Sequence, residues 1–144
     1  MKLASSAFNT SETIPARYTC DGENVNPPLT VDGIPSSTES LALIVDDPDA
    51  PAGTWVHWVV YDIPVTRKLE ENSVPGKQGR NDFDNLDYGG PCPPSGTHHY
   101  HFTLYALDIM PENRAGLTKQ ELTRVMEGHI LDKAELVGLY SKSK

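Results

Sequence analysis

Cysteine is scarce in this 144-residue chain, which has only Cys20 and Cys92. Two cysteines allow at most one disulfide, and without a C-x-x-C pair no structural zinc site is read. Long apolar runs are missing as well. The longest, Leu41 to Val45, falls far short of the roughly 18 residues that cross a bilayer as a helix. Behind Met1 and Lys2 there is no apolar stretch of the kind a secretory signal needs, so the expected compartment is the cytoplasm and both thiols are expected to be reduced. Excess positive charge is lacking too: 12 Lys and Arg face 20 Asp and Glu, for a net charge of -8. Such a chain repels nucleic acid and anionic membrane surfaces, so any anion it binds must be held locally. Neither a nucleic-acid partner nor membrane insertion is expected.

What the chain does contain is turn chemistry. Its 11 glycines and 12 prolines punctuate short apolar runs, with no internal repeat, a pattern that favours one mainly β domain over residues 1–144. Leu41 to Val45 reads as a buried strand. Trp55 to Ile63 is rich in β-branched and aromatic residues and reads as a second, with Trp55, His57, Val59 and Tyr61 on one face. His98 to Leu107 reads as a third, placing His98, Tyr100, Phe102 and Leu104 on one face and His99, His101, Thr103 and Tyr105 on the other. Between them Glu70 to Gly96 is mostly loop, and loops that long are usually functional. Thr118-Lys119-Gln120-Glu121 fits a capping box, so one short helix starts there and stops at Gly128. Ala134 to Tyr140 reads as a closing strand.

Two stiff loops feed two of these strands. Asp47-Pro48-Asp49-Ala50-Pro51 leads into Trp55-Val56-His57-Trp58, and Gly90-Pro91-Cys92-Pro93-Pro94-Ser95-Gly96 leads into His98-His99-Tyr100. Proline fixes φ and removes a backbone donor, so these loops display their polar side chains instead of joining a sheet. His57 and His98 stand near the starts of their strands. If the strands are neighbours, both imidazoles and Asp47 converge at one end of the fold. Imidazoles, a tyrosine hydroxyl and free loop N–H groups are donors suited to a small anion. With no Lys or Arg in either segment, binding should strengthen as pH falls through the histidine range. Taken singly, Asp47 and Asp49 also fit a turn in which the carboxylate accepts from loop N–H groups, and Asp49 is assigned that supporting role. Cys92, between prolines, reads as a small buried filler.

The segments D-P-D-A-P followed by W-x-H-W, and later G-P-x-P-P-x-G-x-H-x-Y-x-F-x-L-Y-A-L, resemble the two signature stretches of the phosphatidylethanolamine-binding protein family. The stretch Cys20-Asp21-Gly22-Glu23-Asn24-Val25-Asn26-Pro27-Pro28-Leu29 resembles its bacterial and archaeal branch, often labelled YbhB/YbcL or Raf kinase inhibitor-like. The resemblance implies an antiparallel two-sheet β-sandwich with Greek-key connections and a pocket for phosphate or a phosphorylated head group. Carried over by position, Asp47, His57, Pro91, His98 and Tyr100 bind the ligand, while Asp49, Trp55 and Gly90 support the site. It further implies no cofactor, no catalytic cycle, and regulation or inhibition of a protein target such as a kinase or protease. This chain has His99 where many relatives have Arg, which removes a fixed charge near the mouth. Only Ala52, Gly53 and Thr54 separate the first loop from Trp55, a shorter link than in animal members. The chain as written ends at Ser141-Lys142-Ser143-Lys144, without the C-terminal helix that flanks the pocket in those members.

Two other functions fit parts of the pattern. The same Asp and His residues suit a metal-dependent hydrolase, since imidazole and carboxylate ligate zinc or iron. Alternatively, a surface loop within Glu70 to Gly90 inhibits a protease or kinase while the pocket serves only as structure. A three-histidine site from His98, His99 and His101 is excluded by the two-residue period of a strand. A Ser-His-Asp hydrolase lacks its G-x-S-x-G elbow. An exposed edge strand would make a homodimer unsurprising.

Overall fold

Leu41 to Val45 can be apolar at every position only if both faces of its strand are covered, and the architecture covers both. The computed structural model describes residues 1–112 and 114–141; Lys142, Ser143 and Lys144, expected to end without a flanking helix, lie outside them. Among these described residues are eight strands, β1 (Lys2–Ala4), β2 (Leu29–Asp32), β3 (Ser40–Asp47), β4 (Trp55–Ile63), β5 (Lys68–Leu69), β6 (Lys77–Gln78), β7 (Thr97–Leu107) and β8 (Ile130–Ser141), with one α-helix, α1 (Lys119–Met126), before β8 and a single 3-10 turn at Ala16–Tyr18. They form a three-stranded sheet, ordered β1-β2-β5, and a five-stranded sheet, ordered β6-β4-β3-β7-β8. All of their strand pairs are antiparallel. β7 returns across the sheet to lie beside β3, the long connection of a Greek key. The expected mainly β two-sheet sandwich is therefore the fold.

Alternate residues of β3 serve two cores. Leu41, Leu43 and Val45 pack with Trp58, Val60, Phe102 and Leu104 against Leu3, Leu29, Val31 and Leu69 of the smaller sheet. Ala42 and Ile44 point the other way, with Val59, Tyr61, Leu117, Leu122 and Met126, so α1 covers the outer face. The helix starts as its sequence predicts: Thr118 Oγ1 accepts from the Glu121 N–H at 3.2 Å, and the Glu121 carboxylate accepts from the Thr118 N–H at 3.0 Å. Gly128 takes φ 78° beyond its end, a conformation that costs glycine little.

Local pattern reading leaves β1, β2 and β5 unread and departs from the fold in three further places. β8 begins at Ile130 rather than Ala134, because β7 is long enough to pair with all of it. The long segment from Glu70 is loop except for β6, which docks on the edge of β4. The third departure bears on the site. Val45 pairs with Trp58 but Asp46 pairs with Val56, so His57 occupies a β-bulge. A bulge inserts one residue and shifts the facing of those beyond it. His57 therefore does not share a face with Val59 and Tyr61, which pack under α1; it lines a cavity together with Tyr100.

Candidate anion site

The cavity lies where β3 runs out, β4 begins and β7 begins, a meeting enforced by β3 pairing with both of the others. It has a volume of about 240 Å³. Asp47, Trp55, His57, His98 and Tyr100 line it, with Ala50, Pro51, Pro93 and Pro94 as apolar walls. Asp47, His57, His98 and Tyr100 are all buried. Asp47, His57 and His98, 51 residues apart at the extremes, are thus brought to one place.

The hydrogen bonds decide which atoms remain for a ligand. His98 Nδ1 lies 2.6 Å from Asp47 Oδ2, and a carboxylate only accepts, so Nδ1 carries the proton and Nε2 is the other ring nitrogen. His57 Nδ1 lies 2.6 Å from the Gly89 carbonyl oxygen, which fixes the same tautomer by the same argument. The second Asp47 oxygen accepts from the Asp49 N–H at 2.8 Å, the turn geometry expected of an Asp-Pro-Asp loop. Burial holds the His57 imidazole below its ordinary value, opposed by its bond to Gly89 and by the charge of Asp47. At neutral pH this ring is uncharged. Burial, reinforced by Asp47, pushes the Tyr100 hydroxyl well above the usual phenol range, offset in small part by the backbone N–H of Cys92. It stays protonated and able to donate.

Two buried donors in this lining, Trp55 Nε1 and the Tyr100 hydroxyl, make no hydrogen bond of normal geometry. Orphaned buried donors are uncommon and cost free energy. The aromatic rings around them are stiffly arranged: His57 stands edge-on to both Tyr100 and Phe83, each at 5.3 Å between centroids, and Phe83 meets Trp55 at 5.5 Å.

The remaining expected residues take supporting positions. Pro91, expected among the ligand-binding residues, is buried but does not line the cavity; its carbonyl accepts from the Cys20 N–H at 3.1 Å, and Pro93 and Pro94 build the wall instead. Gly90 is buried behind the wall, and its N–H donates to Asn24 Oδ1 at 2.8 Å. A Cβ there would come within 2.4 Å of Asn24 Oδ1 and of the Tyr18 carbonyl oxygen, so only glycine fits. Asp49 faces outward and accepts from both the N–H and Nδ1 of His99, at 2.8 and 2.7 Å; that pairing holds its carboxyl below the usual range. His99 is thus engaged with Asp49, while His101 faces Glu135 at 3.2 Å.

Sequence reasoning missed Phe83, which reaches the cavity from the long loop; its isolation among polar residues was the available signal. The cysteine reading is overturned. Cys20 and Cys92 form a disulfide, because the fold brings positions 72 residues apart to a Cα separation of 5.4 Å, within bridging range. Both cysteines are exposed, so Cys92 is not a buried filler. Among the described residues, no cluster of three or more His, Cys, Asp or Glu is placed to hold a metal ion, and no helix is long and apolar enough to cross a membrane.

The same arrangement of strands and loops occurs in known proteins. A phosphatidylethanolamine-binding protein homologue from Chlamydia trachomatis superposes with a TM-score of 0.96 at 40% identity, covering 99% of this chain and 97% of that one. Escherichia coli YbcL, described as a member of the mammalian PEBP family, superposes at 0.90 with 30% identity, covering 99% and 98%. The UPF0098 protein of Methanothermobacter thermautotrophicus is 49% identical over 150 residues, covering 99% of both chains. The family model described as phosphatidylethanolamine-binding protein matches residues 4–141. The chain belongs to the phosphatidylethanolamine-binding protein family.

Proposed function

We propose that the protein is a binding module, not an enzyme, that holds phosphate or a phosphorylated small molecule or lipid head group in the cavity between β3, β4 and β7, without a cofactor. The observation that carries this reading is the pair of unpartnered buried donors, Trp55 Nε1 and Tyr100 hydroxyl, in the lining that also contains His57 and His98. A ligand with several oxygens supplies the acceptors these donors lack. Both histidines have Nδ1 engaged, so each offers Nε2, which donates to an anion when the ring carries a second proton. Asp47 then serves as orienting partner and counter-charge. Its presence favours a ligand bound with a proton over one held by fixed positive charge.

Phe83 lines the cavity and is also 40% exposed, as is Leu86 on the same loop. This couples the bound state to a surface that a kinase, protease or other protein target would meet, and supports a regulatory or inhibitory role. The compartment proposed is the cytoplasm, where a disulfide such as Cys20–Cys92 is usually transient or redox-sensing. The metal-dependent alternative is not carried forward, because among the described residues no group of three or more His, Cys, Asp or Glu is placed to hold a metal ion.

Isothermal titration with phosphate and phosphoethanolamine at pH 6 and pH 8 tests the reading. Sulfate, whose charge is constant over this interval, serves as control. Tighter binding at pH 6, lost in His57→Ala and His98→Ala, is expected. Absence of binding at both pH values would overturn it.

A further inference from the structure

The wall of the cavity is tethered in an unusual way. Residues 88–92 are pinned to the segment 18–24: the Tyr88 hydroxyl donates to the Tyr18 carbonyl at 2.7 Å, the Gly90 N–H to Asn24 Oδ1 at 2.8 Å, and the Cys20 N–H to the Pro91 carbonyl at 3.1 Å. Beyond Cys92, no backbone or side-chain hydrogen bond among the described residues holds positions 93–96. Two of these positions are prolines with no N–H to give. The next anchor is Thr97, where β7 begins to pair with β8. Pro93 and Pro94, which wall the cavity, thus hang between the Cys20–Cys92 bond and the first rung of β7. Cys92 itself lines the cavity and also a neighbouring one of about 230 Å³, which contains Cys20 as well. Both cysteines are exposed residues that line this neighbouring cavity, which gives a thiol in solution a way in, and among the described residues there is no free cysteine to compete.

We infer that the Cys20–Cys92 disulfide is a redox latch on the anion site: a dithiol reductant opens it, frees the 93–96 wall and weakens ligand binding, and reoxidation restores both. The inference rests on the anion-site reading above. The chemistry is a two-electron exchange. A thiolate of the reductant attacks one sulfur, forming a mixed disulfide and expelling the other cysteine as thiolate; the reductant's second thiol then displaces the remaining cysteine. The reductant leaves as a disulfide, and Cys20 and Cys92 end as two protonated or ionised thiols. In the reduced chain the wall must be ordered by the ligand itself, and that entropic cost weakens affinity.

Titration of the oxidised protein, the dithiothreitol-reduced protein and Cys20→Ser with inorganic phosphate at pH 6 tests the latch, with hydrogen–deuterium exchange recorded on the same three samples without ligand. Cys20 does not line the anion cavity, so its substitution breaks the bond with every lining residue kept, Cys92 becoming a free thiol as it also does in the reduced protein. The expected result is a loss of about tenfold or more in affinity on reduction and in Cys20→Ser, recovered by reoxidation only in the parent. It should be accompanied by faster exchange confined to residues 18–24 and 89–97. Equal affinity in both redox states, or faster exchange spread equally over β3 and β7, would overturn the inference. If even the oxidised protein binds no phosphate, the anion-site reading fails, and unchanged exchange at 89–97 would then separately defeat the latch.

Discussion

Asp47 and His57 carry most of what can be tested at the scale of single residues. Asp47 accepts from His98 and from the Asp49 N–H, so Asp47→Asn keeps the shape but removes the negative charge beside the His98 ring. If Asp47 were only an unhelpful negative charge, removing it would tighten anion binding. As a counter-charge Asp47 does the reverse, and its loss is expected to weaken phosphate affinity about tenfold, since about 1.4 kcal/mol corresponds to that factor; titration calorimetry reads the sign directly. For His57 the direction of its shift fixes the pH profile. Its free-state value lies below 6.5, so sulfate affinity is expected to rise as pH falls from 8 through that value and then level off. In His57→Ala the rise should be markedly smaller. That Asp47, His57, His98 and Tyr100 meet at one end of the fold was legible in the sequence because each sits at a fixed step from a proline-rich loop. Phe83 was not, because nothing in its own neighbourhood says where a 27-residue loop folds back.

Elements decide how those residues are held. The long loop keeps Phe83 against Gly89, where an added Cβ would lie 2.5 Å from the Phe83 ring. Gly89→Ala is therefore expected to push the ring out of contact with His57 and Trp55. The cost should be about 1–3 kcal/mol of stability, the range for overpacking, with a detectable change in phosphate affinity; urea unfolding followed by titration separates the two effects. Helix α1 provides the contrasting case. Thr118→Ala removes one half of the capping box, at a cost of about 1 kcal/mol. Because α1 covers the face served by Ile44, Val59 and Tyr61, phosphate affinity should be unchanged. The cap was readable because a capping box is complete within four residues. The bulge at His57 was not, because it exists only in the register between β3 and β4.

For the molecule as a whole, the buried imidazole links stability to pH. His57 binds a proton less readily in the folded chain than in the unfolded one, where its value is near 6.5. As pH falls below 6.5 the unfolded chain takes up that proton first, so the stabilisation present above 6.5 is lost progressively as pH falls through the folded value. The denaturant midpoint should decline between pH 7 and pH 5, and less so in His57→Gln. Saturating sulfate should offset the decline, because it binds the folded, protonated state.

Local chemistry determined a good deal by itself. Short runs of apolar, β-branched and aromatic residues marked the core strands, prolines marked the rigid loops, and Thr118 with Glu121 marked the helix start, because each signal is confined to a few consecutive residues. Only the tertiary structure decided that Cys20 and Cys92 are bonded, that His57 turns away from Val59 and Tyr61, and that Pro93 and Pro94 rather than Pro91 wall the cavity. Those outcomes depend on distances and registers between positions tens of residues apart, set by how two sheets and a helix pack together, and no local periodicity encodes them.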